Sequence, residues 1–268
     1  MLKHKLFKNH HSPTRVLCRA FVAVALAVGL ASCAIPAATP AATPAAPATA
    51  ATAMYQQAIV SPLRSDDDRQ SDPSRKPLEF LKFIGVMPGM QVMDVSAGGG
   101  TTTRLLALVV GDGGKVYAQG ATPRTAIEKR LATHPQAAIV PTVRPFDDPV
   151  PAGTPPLDLI TINMSYPDIA NLPIDRQALD RRLFQALKPG GRLIVIDHAA
   201  RAGSGTADTK TLHRIDEAVV REDFRQAGFV LDASSNFLRN VADARDKTSA
   251  EMERMSDKFA LRFVKPQS

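Results

Sequence analysis

From residue 77 to the end, apolar residues fall into short runs divided by Gly- and Pro-rich breaks. Gln91–Val95, Lys115–Ala118, Leu157–Asn163 and Arg192–Asp197 are apolar runs of strand length, and Ala138-Ile139-Val140 begins another. Between them lie helix patterns. Pro77–Ile84 carries proline in its first turn, and Thr102–Val110 is closed by Gly111. Pro123–Ala132 is a third helix, and in Asp175–Leu187 the residues Leu179, Leu183, Phe184 and Leu187 share one face. His213–Ala227 predicts another helix, stopped by Gly228. Phe229–Ala233 and Phe259–Val264 predict two last strands, close enough to form an antiparallel edge. This alternation predicts a doubly wound, Rossmann-like α/β fold: a seven-stranded, mostly parallel sheet with helices on both faces.

The first 76 residues lack that pattern. Residues 1–32 hold five basic residues (Lys3, Lys5, Lys8, Arg15, Arg19), no acidic ones, and an apolar run from Ala20 to Leu30. A membrane-spanning helix needs about 20 apolar residues, so this short run with small residues after it reads as a secretory signal peptide. Its end, Leu30-Ala31-Ser32-Cys33, resembles the lipobox of bacterial lipoproteins. The resemblance implies a lipid on Cys33, and Ala34 after it implies the outer membrane. Residues 33–53 are expected to be an extended Ala/Pro/Thr tether, because Pro36, Pro40, Pro44 and Pro47 oppose a continuous helix. Residues 54–76, with Asp66-Asp67-Asp68, are a polar lead-in or a lid, and residues 77–268 the folded domain.

The leader also changes the charge. The whole chain has 33 basic and 26 acidic residues, a net +7, but five basic residues lie in the leader. The remaining 28 against 26 gives no electrostatic case for nucleic acid. Cys18 lies in the leader too, which leaves the folded domain without thiols or disulfides.

The chemistry centres on Val92–Val95, Ser96, Ala97 and Gly98-Gly99-Gly100, followed at once by a helix. Glycines allow a tight strand-to-helix turn and close approach of a ligand, and the helix start offers free N–H groups. No nucleophile elbow, phosphate-binding lysine after the glycines, or thiol is present to support a hydrolase, kinase or cysteine enzyme.

Asp94 with Gly98-Gly99-Gly100, Gly114–Ala118, Asp158-Leu159-Ile160, Leu187–Leu193 and Ala227-Gly228-Phe229 together resemble the class I S-adenosylmethionine-dependent methyltransferases. More narrowly, Asp197-His198-Ala199, Thr211–Glu217 and Leu238-Arg239-Asn240 resemble secreted bacterial proteins described as predicted methyltransferases. The resemblance implies S-adenosylmethionine as cofactor, with Asp94, Ser96, Ala97, Gly98, Gly99 and Gly100 at its amino-acid end and Asp147 at the adenine. It departs from the family at two places. Ser96 stands for the usual first glycine, and Gln119-Gly120 for the acid that binds the ribose hydroxyls. A carboxamide cannot match a carboxylate accepting two bonds.

Ligands of such sheets sit beyond the carboxyl ends of the strands, where Asn163, Tyr166, Asp168 and His198 also fall. His198, Tyr166, Asp168 and His213 are therefore the candidate catalytic residues, His198 as base or orienting group and Tyr166 as a wall for the acceptor. His198 also reads as a strand-end histidine bonded to backbone, Tyr166 before Pro167 as a loop former, and His213 with Glu217 as a surface pair on a helix. A metal site from His198, His213, Asp216 and Glu217 is conceivable, but nothing in the sequence fixes their distances and no metal is expected. The expected function is methyl transfer to a small molecule by an exported, membrane-tethered enzyme. The alternative is a non-catalytic ligand-binding lipoprotein on a degenerate methyltransferase fold.

Overall fold

A computed structural model describes residues 46–123, 125–252 and 255–267. The expected signal peptide, Cys33 and the tether up to residue 45 lie outside the described residues.

The chain begins with four helices, α1 (Ala46–Val60), α2 (Asp66–Gln70), α3 (Asp72–Arg75) and α4 (Pro77–Ile84). It then alternates through β1 (Gln91–Val95), α5 (Thr101–Val110), β2 (Lys115–Gly120), α6 (Thr125–Thr133), β3 (Ile139–Val143) and β4 (Leu157–Asn163). The remaining elements are α7 (Tyr166–Ala170), α8 (Arg176–Ala186), β5 (Leu187–His198), α9 (Glu217–Gln226), β6 (Val230–Ser235) and β7 (Lys258–Val264). The strands form one sheet in the order β3-β2-β1-β4-β5-β7-β6, parallel throughout except for β7, which runs against both its neighbours. The mostly parallel seven-stranded sheet is the one the alternation predicts. The last strand, though, lies inside the edge rather than on it.

Alternating side chains divide the core between the two faces of the sheet. Val92, Val116, Leu159 and Ile194 face α4 and α5, which contribute Leu81, Ile84, Leu106 and Val110. Met93, Val95, Ile160, Ile162 and Val195 face the other way, with Leu179 and Leu183 of α8 and Val220 and Phe224 of α9. The strand order reverses between β1 and β4, which opens the crevice at their carboxyl ends.

Three expectations are corrected. Residues 46–53 are helical rather than extended, because Pro47 falls in the first turn of α1, where its missing N–H costs nothing. Residues 54–76 are packed rather than solvated. Tyr55 and Ala58 are buried in the core, and the Tyr55 hydroxyl donates to Val86 O at 2.8 Å. The segment that follows is pinned by Arg130 to Asp68 at 2.8 Å and by Arg104 to the Leu63 carbonyl at 2.5 Å. Finally, the last helix begins at Glu217, not His213. Ile215 is drawn into a bridge with Ala199, His213 adopts a left-handed φ of 54°, and Asp216 caps α9 by accepting the Ala218 N–H at 3.0 Å.

Candidate functional site

The glycine turn is built from buried hydrogen bonds. Asp94 and Thr161 are partners across β1 and β4, and the Thr161 hydroxyl donates to Asp94 at 2.8 Å. Thr103, in the first turn of α5, donates to the other carboxylate oxygen at 2.6 Å. Asp94 thus fastens two strands and a helix together. Burial pushes its carboxyl up to about 6, although the Thr103 and Thr161 hydroxyls pull the other way. The turn leaves β1 through Ser96, a non-glycine residue at φ 55°, whose N–H donates to Gln119 Oε1 at 3.0 Å. Beyond it the backbone is open. A Cβ on Gly98 would meet only the Ser96 carbonyl at 3.9 Å, and one on Gly99 would meet nothing within 4 Å. Gly100, at φ 82°, leads into α5 without a side-chain cap.

Beside this turn lies a cavity of about 360 Å³, lined by Thr101 of α5, Met164 after β4, His198 at the end of β5 and Lys258 at the start of β7. Asp67, Ser71, Ser74 and Arg75 from the α2–α3 segment line another part of it. In a smaller neighbouring pocket, which shares Thr101 and Arg75 with it, Asn163 donates to Thr102 Oγ1 at 3.1 Å, while its Oδ1 is buried with no partner among the described residues.

His198 and Lys258 are opposed in the antiparallel β5–β7 pair, so both side chains emerge on one face of the sheet. His198 Nδ1 lies 2.8 Å from Ser256 Oγ, and its ring meets that of His213 edge-on with centroids 5.7 Å apart. His213 Nε2 in turn lies 3.0 Å from Asp168 Oδ2. Burial, and after it the positive Lys258, push His198 down to about 3, so the ring is neutral. Burial also pushes Lys258 down, to about 8. Asp197 is wholly buried and accepts the Tyr166 and His198 N–H groups at 2.8 Å each, yet desolvation still raises its carboxyl.

No protein-family model matches the chain. A ubiquinone/menaquinone biosynthesis C-methyltransferase, UbiE, of Ectopseudomonas mendocina is 30% identical over 119 residues, which are 44% of this chain and 45% of that protein. UbiE of Shewanella woodyi is 28% identical over 119 residues, 44% and 46% of the respective chains. The chain therefore spans less than half the length of these relatives. Among solved structures, a SAM-dependent methyltransferase from Aquifex aeolicus superposes with a TM-score of 0.54 at 19% identity, covering 73% of this chain and 95% of that one. An S-adenosylmethionine-dependent methyltransferase from Mesorhizobium loti gives 0.52 at 13% identity, over 71% and 97%. The fold is that of the class I S-adenosylmethionine-dependent methyltransferases.

Within this methyltransferase fold the expected site residues divide. Ser96, Gly98 and Gly99 line open backbone, Asn163 reaches the same rim, and Ala97 and Gly100 are buried in the frame of the turn. Asp147 is exposed in the turn after β3. Asp168, His213 and His198 come together as a chain of contacts. Two expectations are corrected. Tyr166 is fully buried, donates to Asp223 at 2.9 Å and packs on Phe224, so it belongs to the core under α9 and walls no cavity. Gln119 is fully buried with both ends of its amide engaged, since Nε2 donates to Arg144 O at 2.7 Å, so it braces the turn instead of reaching a ribose. Asp216 and Glu217 do not join the histidines. Asp216 caps α9, and Glu217 pairs with Arg221 and Arg239.

The sequence reading missed Arg75, Thr101, Ser256 and Lys258. For Lys258 there was a signal: it opens the strand that ends in Val264, and buried strand starts seldom carry lysine.

Proposed function

We propose that the chain binds S-adenosylmethionine at the glycine turn and transfers its methyl group to a small molecule in the adjoining cavity. One observation carries this reading: Thr101, the residue directly after the glycines, is itself part of the cavity wall. The turn and the cavity therefore share a boundary at the switch point between β1 and β4. The residues fit the cofactor's amino-acid end, because Gly98 and Gly99 leave room for a close approach to the backbone. They fit the ribose end poorly, because no carboxylate ends β2.

Bound there, the sulfonium would supply an electrophilic methyl group, to be taken by a lone pair of the acceptor as the C–S electrons return to sulfur. The chain's part is alignment and exclusion of water. Asp67, Ser71, Ser74 and Arg75 of the α2–α3 segment form one wall of the cavity, and Asp94 ties the turn to β4 and α5. On the acceptor's side the cavity wall carries the neutral imidazole of His198, which lies against the ring of His213.

Export and lipid attachment at Cys33 belong to the same proposal. They rest on the leader's charge pattern and its Leu-Ala-Ser-Cys end. Calorimetric titration with S-adenosylhomocysteine tests the core of the reading. Micromolar binding is expected, and absence of heat and of any Tm shift at millimolar ligand would overturn it.

A second reading has its own observation. Gln119 spends its amide on the protein, as in a fold that has ceased to hold a ribose. The chain would then be a binding module whose ligand sits only on the His198 side. Gly99→Trp separates the two readings. It should abolish ligand binding by an enzyme that uses the turn and leave that of the module intact.

A further inference from the structure

The side chains of Asp197, His198 and His213 each offer a donor atom, and these atoms lie within 4.8 Å of one another. We propose that they form a binding site for one divalent first-row transition ion, of the zinc(II) class, at the edge of the cavity. Two imidazoles and a carboxylate are the donor set of three-residue catalytic sites, which leave positions open for water or substrate.

The surroundings of the three residues support the assignment. An imidazole that holds a metal commonly has its other nitrogen held by a second group, which fixes the ring. Both rings here meet that condition, His198 through Ser256 Oγ at 2.8 Å and His213 through Asp168 Oδ2 at 3.0 Å. Each then has one ring nitrogen left for an ion. The Asp197 oxygens are hydrogen-bonded by the Tyr166 and His198 backbone N–H groups, and a carboxylate oxygen with one such bond keeps a further lone pair. His213 is held at φ 54°, a conformation that disfavours any side chain, and strain of this kind persists where surrounding structure enforces it. What the bend achieves is to bring its ring against that of His198.

Charge does not forbid the ion. Lys258, Arg214 and Arg75 are the cations that act on His198. Arg214 is matched by Asp243 in an ion pair of zero exposure at 2.8 Å, and the carboxylates of Asp168 and Asp197 stand at the site against Lys258 and Arg75. A tetrahedral ion about 2.1 Å from each donor needs donors about 3.4 Å apart, so ion binding would draw the three side chains together by up to about 1.4 Å.

Ion binding does not depend on methyl transfer. Its use does rest on that reading: an ion beside the cavity would polarise an acceptor oxygen and favour its deprotonated form. The test is titration of the chelator-stripped full chain with cobalt(II), read by visible absorption, with zinc(II) as competitor and no methyl donor present. One ion per chain with a dissociation constant below about 10 µM is expected. His213→Ala should abolish it, and Asp168→Asn, an exposed change that leaves the core untouched, should weaken it roughly tenfold or more. No cobalt spectrum and no zinc binding would overturn the proposal. So would binding of equal strength in both variants, which would place the ion on other histidines. Neither result bears on S-adenosylhomocysteine binding, so the two readings fail separately.

Discussion

The Ser96 N–H donates to Gln119 Oε1 at 3.0 Å, so the first residue of the glycine turn hangs from the end of the neighbouring strand. The other end of the same amide holds Arg144 O at 2.7 Å. Gln119→Ala would leave a donor and an acceptor without partners in a buried place. That should cost about 1–3 kcal/mol for each group left unsatisfied, and urea unfolding at neutral pH measures it. S-adenosylhomocysteine affinity should fall in parallel, because Ser96 is held in a left-handed conformation that the bond sustains. Lost stability with unchanged affinity would show that the turn does not depend on this brace.

Gly120 ends β2 where the resemblance implies a ribose-binding acid. Gly120→Asp should tighten S-adenosylhomocysteine binding by roughly tenfold, the worth of about 1.4 kcal/mol from a charged acceptor. Calorimetry on the variant decides it, and no gain would mean that the ribose lies elsewhere.

Asp180 gives a pH test of the fold. It is buried in α8, both its oxygens lack partners among the described residues, and burial followed by the Asp223 charge raises it to about 8. In the unfolded chain it ionises near its ordinary 3.8. The folded state therefore holds the extra proton between those values, and stability falls as pH rises from about 4 to about 8, at no more than about 1.4 kcal/mol per unit for one proton. Asp180→Asn should raise Tm at pH 8 and change little at pH 4. Parallel pH profiles for the two proteins would refute the assignment.

Lipid attachment has a direct check. Cys33→Ala should move the protein from the membrane fraction to the soluble fraction of an exporting cell. If the variant stays with the membrane, the Leu-Ala-Ser-Cys reading is wrong.

The sheet was legible because its signals are local. A strand of five or six apolar residues closed by glycine or proline reads the same in any context, and Pro77–Ile84 matches the observed α4 residue for residue. The site was only half legible because it is made by contacts distant in sequence. His213 looked helical with Glu217 four residues on, yet Ile215 pairs with Ala199 and turns the chain before α9 can begin. Tyr166 sat at the right rim, but its ring points under α9, and no periodicity records that choice. The packed α1–α3 segment was hidden in the same way. Alanine and threonine give little amphipathic contrast, although Tyr55 and Ala58 are buried in the core and Ala51, Met54 and Ile59 pack against it.

The last strand in sequence, β7, lies between β5 and β6. While the chain is being made, β6 has no neighbour to pair with until Lys258–Val264 has emerged. That same segment brings Lys258, with Ser256 just ahead of it, to the wall of the cavity and to His198. Completion of the sheet and assembly of the site are therefore one event. A chain cut short after β6 would keep the glycine turn and His198 but lose Lys258 from the cavity wall and Ser256 from the His198 ring.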